Sequence, residues 1–391
     1  MTQASKVRTV SALGLAQILA WGSSYYLPAV LANPIAKGLG ISSPTVFAGF
    51  SLALVVAAVI GPFAGRLIDQ FGGRPVLLTT NLIFALGLCL LASAQGTPSM
   101  LVAWLVIGIG MGSGLYEAAF STLVRIFGQQ SRPAITGVTL VAGLASTLAW
   151  PLSAWLEVTL GWRGACLAWA ALHVLVALPL NASLPRATRS DPAVNGQAEN
   201  KDHDAPQVEN PRRTSILLAI SFAIIWFIGT AMAAHLPSLL MLSGATLASA
   251  VAIGALVGPA QVAGRLLEFS VLQHVHPLKT ARMAILLHPI AASVLAWVGA
   301  PVAAVFAMLH GAGNGVLTIA TGTLPLALFG SKGYGMRQGL LMSPARFFQA
   351  LAPWLFGLWI EAWGLAALWI SAGLGFAALI TLTALPQPDT D

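Results

Sequence analysis

Residues 65–76 read GRLIDQFGGRPV and form the most polar stretch in an otherwise apolar part of the chain. Two arginines and one aspartate stand here between two long hydrophobic runs. Of the 391 residues, 57% are hydrophobic and 8% are charged, whereas a soluble domain carries about a quarter charged residues. The composition predicts a protein that lies in a lipid bilayer, and the polar stretch predicts a turn at one face of that bilayer.

Twelve apolar runs of about 20 residues follow one another along the chain, and each is long enough to cross a bilayer as a helix. Helices are expected because lipid cannot satisfy free backbone polar groups, and the runs do not alternate as barrel strands do. The predicted spans are 9–31, 43–64, 76–95, 100–124, 134–156, 163–183, 214–236, 245–267, 280–299, 302–328, 337–359 and 363–385. The predicted fold class is an all-α membrane protein with 12 transmembrane helices.

The basic residues predict the orientation of the spans. If the N-terminus is cytoplasmic, all but three of the 19 Lys and Arg residues fall in inner loops or at inner helix ends. The exceptions are Lys37, Arg163 and Arg346. The positive-inside rule therefore predicts that both termini are cytoplasmic. We expect a multi-pass protein of a bacterial inner (plasma) membrane.

A long polar segment, residues 184–213, interrupts the series of spans. It is rich in Pro, Asn and Asp, and it is too long for a tight turn, so we expect a flexible cytoplasmic linker. This linker separates a predicted N-terminal six-helix bundle, residues 1–183, from a predicted C-terminal six-helix bundle, residues 214–391.

The two predicted bundles repeat each other at a nearly constant offset. The matching segments are residues 65–69 with 264–268, 110–114 with 311–315, and 155–157 with 359–361. Each pair occupies an equivalent place in its half, which indicates two pseudo-symmetric bundles that arose by duplication. Parallel repeats of this kind are typical of transporters whose substrate binds near the middle of the membrane.

The opening stretch resembles the loop signature between spans 2 and 3 of the major facilitator superfamily, G-x-x-x-D-R/K-x-G-R/K-R/K. The matching residues are Gly65, Asp69, Gly72 and Arg74, whereas Gln70 and Gly73 stand where the signature has basic residues. The resemblance implies a secondary transporter that moves a small-molecule substrate by alternating access. Because the sequence has no nucleotide-binding motif, we expect an ion gradient to supply the energy, with protons as coupling ions. We also expect a monomer that lies in the lipid bilayer.

A narrower resemblance concerns the substrate. The stretches AWGSSYYLPAVL in span 1, AITGVTLVAGLASTLAWPL in span 5 and GWRG in span 6 are similar to a bacterial branch of monocarboxylate and oxalate carriers. Some members of that branch are assigned as arsenite exporters. The antiporter pattern of span 5, G-x-x-x-G-P-x-x-G, is only partly present, at Gly143 and Pro151. Three alternatives stay open: arsenite or antimonite efflux, monocarboxylate uptake, and transport of another small solute.

Two charged residues lie well inside predicted spans, where a charge costs about 2.5 to 3.5 kcal/mol on insertion scales. They are Glu117 in span 4 and Arg346 in span 11. We expect Glu117 to carry protons and Arg346 to anchor an anionic substrate. The alternatives are a structural ion pair between helices, and an Arg346 side chain that extends to the inner surface.

Five further polar residues are candidates because the resemblance implies that spans 1, 4, 7 and 10 line the cavity. They are Tyr25, Tyr26, His235, His310 and Asn314. A histidine in this position can take part in proton transfer. The alternatives are an interfacial aromatic belt for the tyrosines, a hydrogen-bonded residue at the outer helix end for His235, and a helix contact for the glycine run around Asn314.

The polar stretch and its repeat form a candidate gate. Asp69 can bond a helix N-terminus or an arginine, and Arg66 and Arg74 flank it. The second half offers Arg265 and Glu268 for the same role. Such a contact would be made in one state of the transporter and broken in the other. The alternative is that these charges only anchor a short loop.

Several classes of function are not expected from this sequence. The basic residues stand singly between apolar runs, so no nucleic-acid partner is predicted. The sequence carries no nucleotide-binding motif, and the glycine runs lie inside spans, where they predict helix packing. The seven histidines are scattered, so we expect no metal, no cofactor and no enzyme activity.

Overall fold

The computed structural model describes residues 3–185 and 210–385, and within these ranges the chain forms helices and no strand. The predicted linker lies mostly outside the described residues. The α-helices, numbered in chain order, are α1 Gln3–Ser23, α2 Leu27–Leu39, α3 Ser43–Phe71, α4 Gly73–Ala92, α5 Thr97–Gly114, α6 Tyr116–Phe127, α7 Arg132–Ala142, α8 Ala145–Leu172, α9 Leu178–Ala182, α10 Pro211–Leu242, α11 Leu247–Gly254, α12 Val257–Ser270, α13 Pro277–Val298, α14 Ala303–Phe329, α15 Tyr334–Trp363 and α16 Ala367–Thr383.

The surface of these helices is unusually apolar. Large hydrophobic side chains are exposed along many of them, and Trp297 and Val158 are 85% and 81% exposed. In the described ranges, seven helical stretches are long and apolar enough to cross a membrane. Two of them, Thr97–Ala182 and Tyr334–Thr383, contain 86 and 50 residues, more than the roughly 20 residues of one crossing. Apolar side chains exposed along this many long helices are typical of a surface that lipid surrounds.

The described residues divide into two compact units. The first contains residues 3–185, 210–211 and 325–340, and the second contains residues 212–324 and 341–385. Helices α14 and α15 therefore each contribute residues to both units.

Glycines bring the helices of the first unit into backbone contact. Helix α5 packs against α3 and α4. A Cβ atom on Gly108 would lie 2.7 Å from the carbonyl oxygen of Ala53, and one on Gly112 would lie 2.8 Å from that of Ala57. Both distances are too short for a side chain, so the glycines allow α5 to lie directly on α3. The prediction that this run packs helices is confirmed.

The second unit uses its own glycine run in the same way. A Cβ atom on Gly311 would lie 2.6 Å from the carbonyl oxygen of Val257 on α12, and one on Gly313 would lie 2.8 Å from that of Ala284 on α13. A buried apolar cluster fills the space between α10, α13, α14, α15 and α16. Apolar burial and backbone contact thus both hold this unit together.

Two predicted spans of the first unit are not continuous helices. Span 1 is interrupted between Ser23 and Leu27, and span 4 is interrupted at Leu115, which has extended backbone angles. An interruption frees main-chain carbonyls, and lipid cannot satisfy them. The side-chain amide of Gln17 on α1 donates to the carbonyl of Gly114 at 2.7 Å. This hydrogen bond satisfies one main-chain carbonyl at the interruption of span 4.

A buried histidine supports the end of α1. One ring nitrogen of His173, Nε2, lies 2.7 Å from the hydroxyl of Ser23, and the other, Nδ1, lies 3.1 Å from the amide oxygen of Asn81 on α4. His173 is fully buried and begins a single π-helical turn after α8. The side chain therefore joins three helices of the first unit at the point where span 1 is interrupted.

Candidate functional site

The carboxylate of Asp69 holds the first turn of helix α15. Its Oδ1 atom accepts a hydrogen bond from the amide of Gly335 at 2.8 Å, and its Oδ2 atom accepts one from the amide of Met336 at 2.9 Å. The first amides of a helix have no partner within the helix, and its N-terminus favours negative charge. Of the two partners that the sequence suggested for Asp69, the structure shows the helix N-terminus.

Glycines make this close approach possible. The main chains of Gly65 and Gly335 lie against each other, so that a Cβ atom on either residue would overlap with the other. One turn away, a Cβ atom on Gly339 would lie 2.5 Å from Pro62, next to Gly61. Gly61 and Gly65 on α3 therefore pack against Gly335 and Gly339 on α15, and each pair is spaced by four positions. This spacing of small residues is typical of closely packed membrane helices.

The rest of the polar stretch shapes the turn. Gly72 has a φ angle of +83°, which L side chains rarely adopt, and it separates α3 from α4. Arg66 is exposed, and Arg74 is half-buried at the start of α4. A Cβ atom on Gly73 would overlap with Thr122 of α6. The contact with α6 thus explains why a glycine stands where the signature has a basic residue.

Glu117 lies in the first turn of α6, just after the interruption of span 4. Its side chain is 9% exposed, and it is the acidic residue of that turn. The N-terminus of α6 stabilises its negative charge. Tyr334, the first residue of α15, is also fully buried. The interruption of span 4 therefore places a buried carboxyl group in the first turn of α6.

Aromatic residues connect the two interrupted spans. The ring of Trp21 lies 5.2 Å from that of Tyr25, 6.1 Å from that of Tyr26 and 4.7 Å from that of Tyr116, the neighbour of Glu117. Tyr26 also lies 5.9 Å from Trp150 on α8. The structure thus brings the two candidate tyrosines and the start of α6 together. Ring pairs at these distances stabilise each other beyond their burial.

A cavity of about 560 Å³ opens next to this cluster. It is lined by Ala29, Val30, Thr147, Trp150, Pro151 and Ala154, so it lies between α2 and α8 of the first unit. Its wall contains Pro151 of the partial span 5 pattern. Because Trp150 contacts Tyr26, the cavity and the aromatic cluster form one continuous region of this unit.

Arg346 lies inside the second unit with its charge surrounded by aromatic and amide groups. The side chain is 4% exposed, and its Nη1 atom donates to Oε1 of Gln349 at 2.9 Å. The guanidinium lies 5.1 Å from the ring centre of Trp226 on α10, a cation–π distance. The indole Nε1 of Trp226 is buried and has no acceptor among the described residues. The guanidinium of Arg346 and the indole N–H of Trp226 are therefore two hydrogen-bond donors that lie close together in this unit.

The histidine candidates and Asn314 lie in different surroundings. The Nε2 atom of His235 lies 2.7 Å from the carbonyl oxygen of Pro353, so this ring bonds the main chain of α15. The Nδ1 atom of His310 lies 3.0 Å from that of His288 on α13, and both rings are buried. Asn314 reaches toward Gly229 on α10. The structure thus places His310 against α13 and Asn314 against α10.

The repeat of the polar stretch in the second unit is more deeply buried than the original. Arg265 is 5% exposed and Glu268 is 2% exposed, whereas Arg66 lies at the surface. The Nε and Nη1 atoms of Arg265 have no hydrogen-bond partner in the part of the chain that the structure describes. The sequence repeat therefore does not extend to the environment of the side chains.

Sequence reasoning missed several residues that the structure adds to these sites. They are Gln17, Trp226, His288, Tyr334 and Gly335. A signal existed for Gly335, because the spacing of Gly335 and Gly339 repeats that of Gly61 and Gly65. The others lacked a signal, since a single tryptophan, histidine or glutamine in an apolar run is also typical of helix packing.

Comparisons with known proteins agree with this architecture. A model of the Major Facilitator Superfamily matches residues 13–306. The chain is 35% identical to the mouse Monocarboxylate transporter 11 over 147 residues, which are 36% of this chain and 32% of that protein. It is 37% identical to the Klebsiella pneumoniae Multidrug resistance protein MdtL over 89 residues, 23% of this chain and 22% of that protein. These matches span less than half the length of either relative.

The solved structure of the proton:xylose symporter XylE has the same fold. It covers 99% of this chain and 97% of its own with a TM-score of 0.80, although the sequences are only 13% identical. The helical architecture, the glycine contacts and the matched family model lead to one assignment. The chain belongs to the major facilitator superfamily, a family of membrane transporters and not of enzymes.

Proposed function

We propose that this protein is a proton-coupled secondary transporter that moves a small anionic solute by alternating access. In this proposal the chain crosses a bacterial inner membrane twelve times as a monomer, with both termini in the cytoplasm. In the same proposal, six spans precede the linker at residues 184–213 and six follow it. The observation that carries the choice of an anionic solute is the buried guanidinium of Arg346.

The surroundings of Arg346 suit a carboxylate. A guanidinium offers five N–H donors in a flat fork, and the Nη1 atom of Arg346 donates to Oε1 of Gln349. The indole N–H of Trp226 adds a donor that no described residue uses. A carboxylate or another oxyanion has enough acceptor positions for both groups. The 35% identity to part of a monocarboxylate transporter supports the same class of solute.

Glu117 is the candidate for proton coupling. It is a buried carboxyl group in an interrupted span, and an ionisable residue inside a membrane domain commonly carries protons in transporters. In the proposed cycle, Glu117 takes up a proton on one side of the membrane and releases it on the other. The solute and the proton then move in the same cycle, so the pH gradient drives accumulation.

Export is the second candidate direction of transport. The similarity to part of a multidrug resistance protein and the partial antiporter pattern around Pro151 favour it. An exporter in this branch would carry a drug, arsenite or antimonite. In that case, the proton and the solute would move in opposite directions through the same residues.

The test uses purified protein in liposomes with an imposed pH gradient. Radiolabelled acetate, lactate and oxalate serve as anionic probes, with arsenite and ethidium as probes of the export alternative. We expect accumulation of a carboxylate by the native protein. For Glu117→Gln we expect no gradient-driven accumulation but intact exchange of labelled for unlabelled solute. Glu361→Gln, at an exposed position of α15, is the matched control.

The anion site is tested in the same liposomes. Arg346→Gln should raise the half-saturation concentration for the carboxylate at least tenfold, since it removes the charge that attracts the solute. Arg212→Gln, at an exposed position of α10, is the control and should have no effect. Normal driven accumulation by Glu117→Gln would contradict proton coupling through this residue. Transport of arsenite or ethidium in place of the carboxylates would contradict the anionic solute.

A further inference from the structure

We infer that Gly229 and Asn314 form a specificity subsite of the second unit, which accepts a small, uncharged polar substituent of the solute. The inference rests on the proposed function, because it takes the carboxylate of the solute to bind at Arg346. It adds Gly229, which the sequence did not mark, and it assigns Asn314 to one part of the solute. The expected solute is a short carboxylate that carries a hydroxyl or a similar group.

The open space beside Gly229 is the first argument. In the part of the chain that the structure describes, a Cβ atom on Gly229 would meet one atom within 4 Å outside its own helix, Oδ1 of Asn314 at 3.5 Å. The glycines that pack α14 differ, since a Cβ atom on Gly311 or Gly313 would lie 2.6 Å or 2.8 Å from a main-chain oxygen. Gly229 therefore does not serve close helix packing, and it leaves room for another group.

The surroundings of Asn314 are the second argument. The residue is half-buried inside predicted span 10, and its side-chain amide makes no hydrogen bond to any residue that the structure describes. An amide that faces lipid without a partner costs free energy, so at this depth it needs water or a bound solute. The neighbouring glycines hold α14 on α12 and α13, which leaves Asn314 on the side toward α10.

The donors for the anion lie one helical turn from this open space. The guanidinium of Arg346 lies 5.1 Å from the ring centre of Trp226, whose indole N–H is buried without an acceptor among the described residues. Trp226 and Gly229 stand three positions apart on α10, so they share a face, and such neighbours lie about 5 to 6 Å apart. With a hydrogen bond of about 2.9 Å at each end, roughly two or three carbon atoms connect the carboxylate to the second polar group.

The two residues select different properties of the substituent. The amide of Asn314 is neutral and offers both donors and acceptors, so it matches a hydroxyl or a carbonyl group. A plain acid of the same length leaves this amide to water and loses one hydrogen bond. A side chain at position 229 would fill the open space and exclude the substituent, whereas the carboxylate at Arg346 would stay bound. Asn314 thus selects the chemistry of the substituent, and Gly229 selects its size.

The test measures exchange in liposomes without an imposed pH gradient, so the result does not depend on proton coupling. Unlabelled acetate, propionate and 3-hydroxypropionate compete with labelled acetate, and the half-inhibition concentration of each is determined. Propionate and 3-hydroxypropionate differ by one hydroxyl, and acetate ends before the third carbon. We expect the native protein to bind 3-hydroxypropionate about three- to tenfold more tightly than propionate, the range of one neutral hydrogen bond.

Two substitutions separate chemistry from size. Asn314→Leu removes the amide at similar volume, so the two three-carbon acids should become equal while acetate is unchanged. Gly229→Val should weaken both three-carbon acids at least about tenfold and acetate less than about twofold. Gly229→Ala should give a smaller effect of the same kind, and it replaces the valine variant if that variant does not fold. Gly373→Val, at an exposed position of α16 where a Cβ atom meets nothing within 4 Å, is the matched control.

The outcomes separate this inference from the proposed function. Carboxylate exchange without a preference for 3-hydroxypropionate, or a preference that persists in Asn314→Leu, overturns the subsite and leaves the proposed function intact. Gly229 variants that weaken acetate as much as the three-carbon acids do the same. If the native protein exchanges no carboxylate, or if Arg346→Gln leaves all three half-inhibition concentrations unchanged, the anion site and the subsite fall together. Size-exclusion profiles of the detergent-solubilised variants show whether each has folded.

Discussion

The Oδ1 atom of Asp69 lies 2.8 Å from the amide nitrogen of Gly335, although 266 residues separate them along the chain. The second oxygen of the same carboxylate binds the next amide, of Met336, at 2.9 Å. The polar stretch of residues 65–76 therefore holds the start of α15 through one side-chain carboxylate that binds two main-chain amides.

Replacement of Asp69 by Asn should slow transport. The amide side chain keeps one acceptor oxygen, so one of the two bonds and the negative charge at the N-terminus of α15 are lost. A bond to a charged group is worth about 1.5 to 3 kcal/mol, which is enough to shift a two-state gate strongly. We expect the initial rate of uptake into liposomes to fall several-fold at equal protein content. Asp69→Glu retains the charge and is the comparison.

A normal rate in Asp69→Asn would mean that the contact only anchors the turn between α3 and α4. A low rate in both variants at reduced protein level would instead indicate a defect of folding. Protein content is therefore measured on the same liposomes by quantitative immunoblot.

Gly335→Ala should block the same contact by steric overlap. The added Cβ atom would overlap with the main chain of Gly65 and lie 2.8 Å from Oδ1 of Asp69. Main-chain atoms can move away only if the helix itself shifts. We expect the uptake rate to fall at least about tenfold, since the two helices must separate. Gly373→Ala on α16 is the control, because its Cβ atom would meet nothing within 4 Å. Equal rates for the two variants would contradict a close contact at Gly335.

Gln17→Leu should destabilise the first unit. The amide of Gln17 donates to the carbonyl of Gly114 at 2.7 Å, and its oxygen lies 3.2 Å from the indole nitrogen of Trp21. Leucine removes the donor that the buried carbonyl of Gly114 uses, which costs about 1 to 3 kcal/mol. We expect a lower midpoint of thermal unfolding in detergent. Gln129→Leu, at an exposed position after α6, should leave the midpoint unchanged, and equal midpoints for both would refute the role of Gln17.

Much of the fold could be predicted because lipid imposes strict rules on a sequence. The apolar runs predict helices, and the glycines of span 4 predict close helix packing, which the structure shows against α3. The position of Asp69 at the end of span 2 predicted a bond to a helix N-terminus or to an arginine. It could not choose between them, because the choice depends on which helix begins opposite Asp69.

The interruptions and the partners of buried groups could not be predicted in the same way. The glycines before Leu115 are also typical of a continuous, closely packed helix, and one of the carbonyls at the interruption is bound by Gln17, nearly a hundred residues earlier. The pairing of His310 with His288 also depends on how two helices pack against each other. Such contacts are tertiary, so periodicity within one helix carries no information about them.

The separation between Asp69 and Gly335 has a consequence for the order in which the protein is made. Ribosomes add about 5 to 20 residues per second, so Gly335 follows Asp69 by roughly 13 to 50 seconds. During this interval the carboxylate of Asp69 and the bare backbone at Gly65 lie in an inserted but incomplete first unit. Synthesis of residues 334–336 therefore supplies the partners of both groups, and a chain that stops before residue 334 leaves a polar group and a backbone surface open to other proteins.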